Sequence, residues 1–128
     1  MVPDAHSEGR GLAITAQALY LVNLMLLPGL AFLVLLLIFA VSYRNAPVLA
    51  RNHLAQTLGV SALGGSLIVL VLGAIYFGGG AGPYAWLWGI MYFTFVHTSL
   101  IFIGVFGFNK AMNGQEFVFP VVGRLFKR

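Results

Sequence analysis

A chain of 128 residues that is 60% hydrophobic and only 8% charged has too little polar side chain to cover a soluble core. Its mean hydropathy of +0.95 also excludes a disordered chain, which needs low hydrophobicity. Seven basic and three acidic side chains give a net charge of +4. What remains is an all-α integral membrane protein.

In chain order, residues 1–17 are polar and glycine-containing and read as a solvated tail, with Thr15 placed to cap the first helix. Two stretches then lack Asp, Glu, Lys and Arg altogether: Gly11 to Tyr43, and Asn52 to Asn109. A bilayer core of about 30 Å needs about 20 apolar residues per helix, so the first stretch holds one crossing and the second holds two. The turn within the second is Gly78-Gly79-Gly80-Ala81-Gly82-Pro83, which cannot sustain a helix. The expected architecture is three transmembrane helices, at about 18–41, 54–77 and 84–108, in a single membrane domain over 1–128. Short interfacial segments follow helix 1, in the loop 42–53, and occupy the basic tail 109–128. The acidic start and the length of the first apolar run argue against a cleaved signal peptide. The unbroken run Leu30–Ala40 argues against a β-barrel.

The first span contains Asn23 and the pair Pro28-Gly29. Proline inside a helix removes a hydrogen bond, so Pro28 predicts a kink. Asn23 must satisfy its amide and is expected to face a neighbouring helix. The loop carries Arg44 and Arg51, with His53 and Gln56 at the entry to the second span. In that span Ala62, Ser66 and Gly73 lie close to one face, and Ser61 and Gly65 have small-x-x-x-small spacing. Such residues are candidate helix-packing positions, within this bundle or against another subunit.

His97 is the one ionisable residue inside the third span, close to its middle, and so is a functional candidate. Three roles stay open. A neutral imidazole could bond Thr94, Asn23, Ser66 or a backbone carbonyl. It could bind a haem or a chlorophyll-type pigment, the second ligand then coming from a partner chain, because His53 and His6 lie at other depths. It could relay protons. No cofactor is otherwise implied.

The tail opens with the turn signal Asn113-Gly114. Phe117, Phe119 and Phe126 are expected to enter the headgroup boundary, with Arg124, Lys127 and Arg128 on lipid phosphates. Lys and Arg counts near the spans place the N-terminus outside and the C-terminus in the cytoplasm of a bacterial inner membrane. The basic residues call for anionic lipid headgroups and for no nucleic acid. No Walker loop, His-x-x-x-His pair, acidic pair or Gly-x-Ser-x-Gly elbow is present, so no catalytic residue and no metal site is assigned.

The segment Arg51-Asn52-His53-Leu54-Ala55-Gln56-Thr57-Leu58 and the segment from Ala111 to Gly123 are distinctive together. A polar helix entry followed by an "Asn-Gly-x-x-aromatic-x-aromatic-Pro" tail resembles the small bacterial membrane proteins related to the chloroplast inner-envelope protein-import translocon family. The matching positions are His53, Gln56, Asn113, Gly114, Phe117, Phe119 and Pro120. The resemblance implies a small helical membrane protein and, by its chloroplast relatives, a protein-translocation component. The residues themselves point to a non-enzymatic accessory or assembly subunit bound to larger membrane subunits.

Overall fold

A computed structural model describes residues 8–79 and 82–127. Four α-helices follow one another: α1 (Arg10–Met25), α2 (Leu30–Ser42), α3 (Val48–Gly79) and α4 (Pro83–Met112). Short 3-10 turns cover Tyr43–Asn45 and Gly123–Phe126, and no strand occurs among the described residues. Helices α3 and α4 are each long and apolar enough to cross a membrane. The all-helical class therefore holds, but the number of such helices is two, not three.

The difference lies at Pro28-Gly29. The expected span 18–41 is two helices that run back along each other. Ala16 of α1 packs in one cluster with Leu35 of α2, and Leu12 and Tyr43 border the same cluster. Gly29 takes a φ of +85°, a left-handed conformation that glycine adopts without the steric cost of a side chain. The helix therefore reverses at this point, where a kink was expected. Side-chain oxygen Oδ1 of Asn23 accepts from the Gly29 N–H at 2.9 Å and from the Phe32 N–H at 3.2 Å. Asn23 thus caps the start of α2 rather than bridging to a distant helix.

Residues Arg10–Gln17 are not a solvated tail. They form the first turns of α1, whose Ala13, Ala16, Gln17 and Tyr20 are all buried. Their spacing of three and four residues puts them on one face. Thr15 does not cap the helix; it bonds back to the Gly11 carbonyl at 2.8 Å. The α1 face meets Gly104, Gly107 and Ala111 of α4, which share the same spacing. A Cβ on Gly104 would stand 2.5 Å from Tyr20, and one on Gly107 would stand 2.7 Å from Gln17. The Tyr20 hydroxyl donates to the Leu100 carbonyl at 3.1 Å, fixing the register of the two helices.

The hairpin's open end lies beside the start of α3, since a Cβ on Gly9 would meet Pro47 and Ala50 at 3.0–3.1 Å. The start of α1, the α2–α3 connection, the end of α4 and the tail therefore share one end of the molecule. A three-crossing arrangement would have put the start of α1 at the other end. Helix α1 spans about 24 Å and α3 about 48 Å at 1.5 Å per residue, so the hairpin covers only part of the α3–α4 pair. Beyond its tip the outer halves of α3 and α4 stand exposed, including Phe77, Tyr84, Trp86 and Trp88.

Candidate functional site

Two places concentrate polar side chains. The first is a buried layer near the shared end, built on one face of α3. Asn52, His53 and Gln56 stand at positions i, i+1 and i+4, and His53, Gln56 and the adjoining Thr57 are fully buried. The chain after α4 runs alongside this face. Helix α4 closes at Asn113-Gly114: Gly114 (φ +68°) donates its N–H to the Ala111 carbonyl, and the Gln115 N–H reaches back to the Lys110 carbonyl at 2.9 Å.

From Gln115 to Phe119 the chain forms neither helix nor strand. Its backbone groups must find other partners, because buried and unpaired they are costly. Side chains of α3 supply them. Asn52 accepts from the Phe117 N–H at 2.8 Å. Gln56 accepts from the Phe119 N–H at 3.1 Å and donates to the Gly123 carbonyl at 2.8 Å. The Nε2 of His53 lies 2.8 Å from the Gln115 carbonyl, which can only accept, so Nε2 carries the proton. Nδ1 then accepts from the Gln17 amide at 2.8 Å. A single imidazole therefore joins α1, α3 and the tail, and Thr57 bonds to the His53 carbonyl at 2.7 Å.

Several expected docking residues are thereby relocated. His53, Gln56 and Phe119 face inward, with Phe119 packed against Tyr20 at a centroid distance of 5.1 Å and the rings tilted by 59°. Phe117 and Phe126 border the same core cluster instead of projecting toward lipid, and Gly114 is buried. Phe126 lies directly over Gly59, and a Cβ at position 123 would meet the Gln56 side-chain oxygen at 2.5 Å. Arg44, Arg51, Arg124 and Lys127 are exposed, as is Asn113, which bonds to Asn109. Arg128 lies outside the described residues.

The second place is a cleft of about 970 Å³ between the hairpin tip, α3 and α4. Asn23, Pro28, Gly29, Ser61, Ser66 and His97 help line it. His97 stacks on Phe93 at 4.7 Å with the rings 17° apart. Its Nδ1 is buried and has no hydrogen-bond partner among the described residues, and the same holds for the Ser61 hydroxyl. None of the partners expected for a satisfied imidazole, Thr94, Asn23 or Ser66, reaches Nδ1. Among the described residues, the small residues expected to pack helices make no close helix contact. Ala62 and Ser66 are not buried, and nothing lies within 4 Å of a Cβ placed on Gly65 or Gly73.

The close approaches belong instead to Gly59, Gly104, Gly107 and Gly123. Gln17 is a further site residue, absent from the sequence-based set. The i, i+3, i+4, i+7 repeat of Ala13, Ala16, Gln17 and Tyr20 is the signal that reveals the helix it sits on.

Chemically, the two places differ. Both ring nitrogens of His53 are engaged, so it holds the fold and offers no free base. Neither ring nitrogen of His97 has a hydrogen-bond partner among the described residues, and its Nδ1 is buried. No cluster of three or more His, Cys, Asp or Glu that could hold a metal occurs among the described residues. No protein-family model, no curated protein and no solved structure matches the chain.

Proposed function

We propose that this chain is a small non-enzymatic subunit of a larger assembly in a bacterial inner membrane, with α3 and α4 crossing the bilayer and the α1–α2 hairpin entering it from one side. The observation that carries the reading is the contrast between the two ends. At one end polar side chains and close-packed glycines lock α1, α3, α4 and the tail together. At the other end α3 and α4 expose large apolar side chains, with Phe77 at 87%. Water is a poor solvent for such a surface, and lipid or another membrane subunit is a good one. The open small-residue stretch around Gly65 and Ser66 would let a partner helix approach closely.

Charge supports the orientation. Arg10, Arg44, Arg51, Lys110, Arg124 and Lys127 belong to the segments gathered at the shared end, and the turn between α3 and α4 carries no charge. Lysine and arginine favour the cytoplasmic side, so the start of α1 and the tail both face the cytoplasm. Exposed Val121 and Leu125 beside Arg124 suit an interface with anionic headgroups.

The chain has no cysteine, which permits a clean labelling test. In sealed inverted vesicles, a membrane-impermeant maleimide is expected to label Glu8→Cys and Arg124→Cys, while Tyr84→Cys reacts only after the vesicles are opened. Labelling of Glu8→Cys and Tyr84→Cys from the same side would restore the three-crossing arrangement. The subunit reading is tested by purification of the tagged chain in mild detergent. Larger membrane subunits are expected in fixed proportion, and recovery of the isolated monomer alone overturns the proposal.

A further inference from the structure

Two residues that line the same cleft each carry a polar atom without a partner among the described residues. The atoms are Nδ1 of His97 and the hydroxyl of Ser61, both buried. Polar groups enclosed in this way are costly unless something bonds to them, and more so at membrane depth, where water is scarce. A Cβ on Gly64 would lie 3.5 Å from Leu100, and one on Gly89 would lie 3.5 Å from Leu72, which sets the register of α3 against α4. In that register Ser61 and His97 are offset by about three to six residues, or about 5–9 Å along the helices.

We propose that this cleft binds the ring of a lipid-soluble quinone. The hydroxyl of Ser61 donates one hydrogen bond, and an imidazole carrying its proton on Nδ1 donates another. The matching ligand is flat, largely apolar and presents two acceptors on opposite edges, with no donor that needs a partner. Two ring carbonyls with hydrogen bonds of about 2.8 Å each bridge an offset of this size. A phospholipid chain offers no acceptor at this depth, and a simple alcohol offers one group instead of two.

The stacked Phe93–His97 pair supplies a flat wall for the ring. Rotation about the broad χ2 torsion of His97 turns Nδ1 into the cleft. Val69 and Leu70, on the cleft's rim, are exposed, so an isoprenoid tail can leave sideways into the bilayer. The Gly29 and Phe32 N–H groups at the hairpin tip are already bonded to Asn23 and do not compete for the ligand. The inference rests on the membrane placement proposed above, and a partner helix seated at Gly65 and Ser66 would share the wall of this cleft.

The test is calorimetric titration of the purified full chain in detergent micelles with ubiquinone-1, against empty micelles. Saturable binding near one quinone per chain is expected. His97→Phe and Ser61→Ala are each expected to weaken it by about tenfold, the loss of one hydrogen bond. Circular dichroism and melting temperature serve as the check that both variants remain folded. Excess oleic acid is expected to leave binding in place. Absence of saturable binding, unchanged affinity in both variants, or full displacement by oleic acid overturns the proposal.

Discussion

Replacing Asn23 by leucine is expected to open the α1–α2 hairpin. One side-chain oxygen serves two backbone N–H groups, at Gly29 and Phe32, on the first turn of α2. That turn has no preceding helix to supply acceptors, because the chain has just reversed. In water, solvent would replace Asn23 at modest cost. With the hairpin tip in the bilayer, as proposed above, nothing replaces it, and each buried donor left unpaired costs about 1–3 kcal/mol.

The expected loss is therefore about 2–6 kcal/mol, concentrated in one element. Leucine matches asparagine in size, so the change isolates the hydrogen bonds from the packing. Amide exchange measured in detergent should accelerate at Gly29, Phe32 and along α2. Protection in the middle of α4 should change far less. Unchanged exchange at Gly29 and Phe32 would show that Asn23 is not the cap.

This hairpin is also where sequence and structure part most clearly. Charge spacing locates the two long helices well, because a charge-free run bounded by Arg51 and Lys110 with a glycine-rich turn inside has one simple solution in a bilayer. The same logic fails for Gly11–Tyr43. An apolar run of that length satisfies one crossing or one short hairpin equally, and hydropathy does not record direction. Pro28-Gly29 marks the break, but a proline kink and a full reversal share that signal. What separates them is Asn23 six residues before Gly29, able to accept from the new helix's first turn. Its role depends on geometry across the turn, which no local propensity contains.

At the polar layer the residues His53, Gln56, Asn113, Gly114, Phe117 and Phe119 stand out in the sequence as two segments that belong together. Their role is not legible there, because polar side chains beside a membrane helix suggest an interface. The reason His53, Gln56 and Phe119 face inward is the tail between Gln115 and Phe119, whose backbone lacks regular structure and needs partners. His97 illustrates the opposite case. Its place in the middle of an apolar helix is plain from sequence, whereas its lack of a partner depends on where Asn23, Thr94 and Ser66 point.

Gln56 is the strongest test of the layer. Gln56→Leu leaves the Phe119 N–H and the Gly123 carbonyl without their partner, at an expected cost of about 2–6 kcal/mol. Gly123→Ala acts on the same contact from the other side. Its Cβ would meet the Gln56 oxygen at 2.5 Å and Val118 at 3.0 Å, and overpacking of this kind costs about 1–3 kcal/mol. Because both substitutions act on the same contact, the two sites must couple. Gln56→Ala removes the oxygen that the added methyl group would strike, so the double variant should be less destabilised than the sum of the single ones. A coupling of about 0.5–3 kcal/mol is expected for residues in contact. Urea titration in mild detergent, followed by exchange at the Phe119 amide, reads the tail directly. Strict additivity would mean that Gly123 and Gln56 act separately, and that His53 and Asn52 hold the tail by themselves.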